Sequence, residues 1–338
     1  MTFSPIGFPA QPRNDLLSRL VGQLRNQSDI ARQEVVTGLR ADPARTLNGK
    51  VSELLGVEQS LAEIAQYREI IGLASARAAV TQNSLNVLRE LADDLSVNGQ
   101  IALDANLTNA SEAASASARQ ALGAAISALN VSFGGRRLFA GDAGDSPAVA
   151  SAEDFMAASV PILEAGPTAG AAYANLTVDF TTGGGLFDTS LYGGGTGNAP
   201  ASEVARGERL EFAQRADAAP IRALLRDLVT LATAFDPSNS IPEADRRALA
   251  GQAIAGLRNN VSALVGMASN VGAAEERMAT VAARNQASEL GLTLAHLSLA
   301  GRDQFEAAAE LTNLETQLET TYLATARLSN LSLANFLR

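Results

Sequence analysis

The residues equipped for chemistry are few. His296 is the only histidine of the 338-residue chain, and it stands among Leu294, Leu297 and Leu299 in a stretch of helical character. A metal site or a Ser-His-Asp relay built on it would need converging partners. The chain offers no second histidine and no cysteine. The carboxylate pairs Asp93-Asp94 and Glu275-Glu276 also lie in helical stretches, where adjacent side chains diverge instead of sharing one proton. The triplets Gly183-Gly184-Gly185 and Gly193-Gly194-Gly195 could shape a phosphate loop, but neither sits between a strand and a helix in the required spacing, and Lys50, the only lysine, follows no Walker-type loop. The sequence therefore predicts no catalytic residue, no metal site and no cofactor, hence not an enzyme. His296 reads as a partly packed helical residue, the paired acids as solvated charges and the glycines as turns.

The elements that carry these residues are predominantly helical. Leu16, Leu17, Leu20, Val21 and Leu24 recur at spacings of three and four, which predicts a helix over about 14–37, ended by Gly38 and then Pro43. A second helix is expected over 47–97, where Val57, Ile64, Ile71, Ala78, Leu85 and Ala92 fall seven apart, widened by Leu54, Leu61, Leu88 and Leu95. Such a heptad returns one apolar stripe to one face and calls for a long partner helix. A third helix, about 106–133, carries Leu122, Ile126, Leu129 and Phe133 on one side. The glycine-rich stretch to about residue 205 includes the polar and apolar alternation of Ala174-Asn175-Leu176-Thr177-Val178-Asp179-Phe180, which reads as a small strand-and-turn domain. Helices are expected again over 219–235 (Ile221, Leu224, Leu225, Leu228 and Leu231), over 242–267 and over 271–333. In the last of these Leu311, Leu314, Leu318, Thr321, Thr325 and Leu328 alternate three and four apart.

The fold class expected is thus mainly α: a long antiparallel coiled-coil helical rod formed by the two ends of the chain, with a small Gly-rich, β-containing inserted domain. Composition agrees, with 46% hydrophobic residues, 4% aromatic and no tryptophan, a profile for long helices packed through small and aliphatic side chains. The net charge of −10 opposes non-specific nucleic-acid binding. The eight acids between Gly141 and Ala205 (Asp142, Asp145, Glu153, Asp154, Glu164, Asp179, Asp188, Glu203) face no Lys or Arg in that span, so the insert is expected to be solvated. No run of about 18 apolar residues predicts membrane insertion. The start Met1-Thr2-Phe3-Ser4-Pro5, with Pro9 and Pro12 following, does not read as a cleavable signal peptide.

Four stretches carry a resemblance. They are Val36-Thr37-Gly38-Leu39-Arg40, Leu85-Asn86-Val87-Leu88-Arg89-Glu90-Leu91-Ala92, Gly135-Arg136-Arg137-Leu138-Phe139-Ala140-Gly141 and Leu328-Ser329-Asn330-Leu331-Ser332-Leu333-Ala334-Asn335-Phe336-Leu337. In this order and at these ends, they resemble the bacterial flagellin and hook-associated protein family, most closely its hook–filament junction members. Arg137 stands where the family's third stretch has tyrosine, and Ala41-Asp42-Pro43-Ala44-Arg45 replaces the family's usual sequence after the first.

The resemblance implies a structural subunit of the flagellum, exported without a cleavable signal peptide and located outside the cell. Implied partners are copies of itself in a ring or tube, the neighbouring hook-associated protein, flagellin and an export chaperone. It divides the chain into 1–42 and 298–338 (the two halves of a terminal coiled-coil domain), 43–140 and 206–297 (the two halves of a helical rod) and 141–205 (the variable insert). It makes Leu16, Leu20, Val21, Leu24, Leu311, Leu314, Leu318, Leu328, Leu331, Leu333 and Phe336 the expected assembly interface. Flagellin itself, and a cytoplasmic coiled-coil adaptor with a Gly-rich insert, stand as alternative readings.

Overall fold

The computed structural model describes the backbone of residues 11–43, 51–105 and 108–336, and the side chains of these except 11–15, 17, 108–109 and 328–336. In chain order the elements are α1 (Gln11–Thr37), α2 (Val51–Ala105), α3 (Thr108–Leu129), β1 (Ser132–Phe133), β2 (Arg136–Arg137), α4 (Ala152–Ala165), α5 (Ala169–Thr181), a π-helical turn (Phe187–Leu191), β3 (Ser202–Ala205), β4 (Glu208–Leu210), α6 (Ala219–Ala234), α7 (Glu243–Ala300) and α8 (Gln304–Phe336). The fold is mainly α, as its sequence predicts. Two compact units divide it: residues 1–65 with 286–338, and residues 66–285.

In the second unit α2 and α7 run antiparallel. Ser75 Oγ reaches Met278 Sδ at 3.7 Å, Arg258 Nη2 donates to the Ser96 carbonyl at 3.3 Å, and Gly99 leaves room for the Ile254 side chain, which a Cβ would meet at 3.2 Å. A buried stripe of α2 runs through Ile71, Ala74, Ala78, Thr81, Leu85, Leu88, Ala92, Leu95, Gly99 and Ala102, an alternation of three and four that keeps one face against a partner. Helix α7 answers with Leu257, Leu264, Met267, Val271, Ala274, Met278 and Val281. Because that stripe passes unbroken through residues 264–281, α7 is one helix of 58 residues. The boundary expected between 267 and 271 is therefore wrong, and the real stop is at Gly301. Helix α6 fills the space between α3 and the insert: Ile221, Leu224, Leu225, Leu228 and Leu231 are buried as expected, and Ser115 Oγ of α3 donates to the Ala232 carbonyl at 2.8 Å.

The insert differs from its expected strand-and-turn form. Its larger part is two helices. Helix α4 begins in a capping box in which Ser151 and Asp154 exchange hydrogen bonds, and α5 begins at Thr168, whose hydroxyl accepts from the Ala171 amide. The segment 174–180 is helical because Ala169, Ala172, Leu176 and Phe180, three and four apart, all point into the core; over seven residues a two-residue alternation cannot be told from such a face. Phe155, Phe180 and Phe187 meet at ring centroid distances of 5.6–6.3 Å, and Arg222 caps Phe187 at 4.6 Å. Strands are confined to two hairpins. The β1–β2 turn is Gly134-Gly135, both at positive φ (60° and 80°), as a tight hairpin requires. The β3–β4 hairpin is pinned to α7 by Glu208, which takes Arg284 at 2.9 Å and Arg277 at 3.4 Å; the Arg284 hydrogen bond first of all holds its carboxyl below the usual range.

Candidate assembly surface

His296 Nε2 lies 3.4 Å from Glu58 Oε1, and no group of three potential metal ligands occurs among the described residues. Asp93 accepts from Arg89 one helical turn earlier at 2.9 Å. The glycine triplets are turns tied to their own chain: Gly184 N donates to Asp188, Gly193 N to the Ala148 carbonyl and Gly195 N to the Ala140 carbonyl. No helix of the described residues is long and apolar enough to cross a membrane.

The feature left for a function is the pairing of α1 with α8. On α1 the buried positions Leu24, Ser28 and Ala31 are spaced four and three, and on α8 Ala307, Leu311, Leu314, Leu318, Thr321 and Thr325 keep the heptad spacing as buried or half-buried positions. The dry part of this seam is small: Leu24, Ala31 and Leu314, flanked by Leu311 and Leu318. Polar contacts flank it. Arg32 Nη2 meets Glu315 Oε1 at 3.0 Å, and Arg25 Nε donates to the Tyr322 hydroxyl at 2.6 Å. Both Arg32 and Glu315 are about half exposed, so their ion pair adds little stability.

Both helices stop at one level, and the stop is built from backbone. Gly38 takes a left-handed conformation (φ 67°) that glycine adopts without strain. Arg40 N then donates to the Ala300 carbonyl at 2.8 Å and Arg302 N to the Gly38 carbonyl at 2.9 Å, an antiparallel bridge between Leu39 and Gly301. Gly301 is required by space, since a Cβ there would lie 2.1 Å from the Leu297 carbonyl oxygen. Arg302 lies between Glu34, whose Oε2 is 3.0 Å from Nη1, and Glu310, and Glu34 also accepts from the Ala41 amide. Asp303 opens α8 by accepting from the Phe305 and Glu306 amides. Sequence reasoning missed this joint, although Gly301-Arg302-Asp303, a helix stop followed by an N-cap residue, is a readable signal.

Of the residues expected at an assembly interface, Leu24 and Leu314 are buried within the pair, and Val21, Leu311 and Leu318 are half-buried. Leu16 and Leu20 remain 68% and 40% exposed. The side chains of Leu328, Leu331, Leu333 and Phe336 lie outside those the structure describes. Further exposed apolar side chains on these two helices escaped the sequence reading, among them Ile30 at 48%, Val36 at 82%, Phe305 at 89% and Leu323 at 55%.

The chain matches no protein-family model, and it matches no curated protein. It does resemble solved structures. FlgL of Bacillus cereus is 16% identical with a TM-score of 0.54, over 72% of this chain and 99% of that one. A putative flagellar hook-associated protein from Vibrio parahaemolyticus is 13% identical with a TM-score of 0.55, over 72% of this chain and 94% of that one. At this level of identity the likeness is one of fold, and the fold of this chain is that of FlgL and of the Vibrio hook-associated structure.

Proposed function

We propose that this chain is a structural subunit of the bacterial flagellum, a hook-associated protein that joins hook to filament by polymerising through its terminal helices. The observation that carries the reading is the incomplete burial of the α1/α8 pair. Among the described residues its dry seam is three side chains, while Leu16, Leu20, Val36 and Phe305 stand in solvent along the same two helices. Each buried CH₂ contributes about 0.8 kcal/mol, so packing these side chains against further copies gives a driving force for association that the isolated pair leaves unused. The fold relatives, FlgL and a putative flagellar hook-associated protein, support the hook-associated role over that of flagellin. The partners are copies of the chain, the adjoining hook-associated protein, the first flagellin subunits and an export chaperone; the location is the hook–filament junction outside the cell.

The test is a chain truncated after residue 303, expressed in a strain lacking the full-length gene. Hooks without filaments, with flagellin shed to the medium, is the expected result. Normal filaments on the truncated chain would refute the reading.

A further inference from the structure

The two sides of the α1/α8 pair are chemically unlike. In a paired helix the residue that follows a seam position lies on one flank of the seam and the residue that precedes it on the other. Contacts across the pair fix both flanks. Arg25, Arg32, Glu315 and Tyr322 each follow a seam position, and they meet as Arg25 with Tyr322 and Arg32 with Glu315. Glu34 and Glu310 each precede one, and Arg302 draws them together on the opposite flank.

The first flank is charged, and its charges are satisfied within the molecule. Arg32 lies 3.0 Å from Glu315 and 3.5 Å from Asp29, and the Arg25 guanidinium carbon is 5.5 Å from the Tyr322 ring centre. The second flank carries no charge away from the Arg302 joint. Its α1 row is Leu16, Leu20, Gln23, Gln27 and Ile30, spaced four, three, four and three, and beside it α8 shows Asn313, Gln317, Thr320 and Ala324 at the same spacing. All nine are exposed. At 1.5 Å per residue the α1 row is about 21 Å long.

Covering this flank desolvates no charge, the condition met at the centre of protein interfaces, and Leu16, Leu20 and Ile30 supply apolar area to bury. The composition also selects the occupant. The amides of Gln23, Gln27, Asn313 and Gln317 both donate and accept, so a surface of this kind satisfies its polar groups on another copy of itself, whereas a charged partner would be left unpaired on it.

We infer that the uncharged flank of the α1/α8 pair is where a second copy of this chain docks, uncharged flank against uncharged flank. The inference deepens the proposed self-assembly through the terminal helices and rests on it.

Self-association of the full chain, followed by sedimentation over a concentration series with circular dichroism to confirm folding, tests it. Gln27→Glu combined with Thr320→Glu puts two carboxylates on the uncharged flank and raises the concentration needed for association by roughly tenfold or more. Gly22→Glu combined with Ala326→Glu adds the same charge to the other flank, at exposed positions, and changes that concentration by no more than about twofold. Leu16→Ala combined with Ile30→Ala weakens association without adding charge. Association unaffected by the acids at 27 and 320, or weakened equally by those at 22 and 326, overturns the assignment of the flank and leaves the subunit role, which stands on the terminal truncation, intact. A wild-type chain that stays monomeric at every concentration overturns both.

Discussion

Replacing Asp227 with Asn is expected to stabilise the protein at neutral pH. Asp227 of α6 is fully buried. Its Oδ1 accepts from the Tyr173 hydroxyl and from Arg226 Nε, both at 2.8 Å, while Oδ2 has no hydrogen-bond partner among the described residues and abuts Gly256. Burial pushes this carboxyl up to about 6 from 3.8, against the opposing pull of Arg226 and the Tyr173 hydrogen bond. Because the folded-state value lies above the unfolded one, the folded chain holds the proton more tightly, and this group's contribution to stability rises as pH falls from about 7 towards 4. At about 1.4 kcal/mol per pH unit, the gap between 3.8 and about 6 makes the ionised carboxylate cost about 3 kcal/mol at pH 7.5. At pH 4.5, where the folded group is already protonated, about 1 kcal/mol of that cost remains. Asn reproduces the neutral form at both pH values, and the attraction of Arg226 is already contained in the shift. Urea unfolding followed by circular dichroism should therefore show Asp227→Asn more stable by about 3 kcal/mol at pH 7.5 and by about 1 kcal/mol at pH 4.5. A variant less stable than wild type at pH 7.5, or a difference that does not change with pH, would refute the reasoning.

Arg302→Gln leaves Glu34, whose side chain is 8% exposed, buried without its cation, at a cost of about 3 kcal/mol; limited proteolysis should then cut within α1 and α8 while leaving residues 66–285 protected. Gly256→Ala places a methyl 2.3 Å from Asp227 Oδ2 and 2.8 Å from the Tyr173 hydroxyl and should lower the melting temperature. Gly272→Ala, in the same helix with nothing within 4 Å of its Cβ, should instead stabilise by about 1 kcal/mol, and the opposite signs of the two shifts in one thermal scan check the packing of α7.

How far the fold could be read depends on the range of the interactions that decide each element. The heptad of α2 was legible because its packing partner repeats along the whole helix: Ile71, Ala78, Leu85 and Ala92 are buried one after another. The same reasoning faltered in α7 at its stop before Gly301 and where Ser269-Asn270 interrupts the apolar residues, although Met267 and Val271 keep the stripe in phase. Within the insert, Ala174 to Phe180 offers two periodicities in one short window, and the choice of helix came from outside it, from the cap at Thr168 and from Phe155 and Phe187 closing over Phe180.

Charge shows the same division. The acids of residues 141–205 look uncompensated in sequence, yet Asp188 is met by Arg222 at 2.6 Å, because folding lays α6 along the insert. Sequence by itself determined the helical class and the heptad stripes, since these follow from residue type and local spacing. Tertiary structure alone decided which apolar side chains are left in solvent and where the terminal helices are locked, at Gly38 and Gly301. Each of those depends on what a distant part of the chain brings alongside, and local spacing carries no record of that.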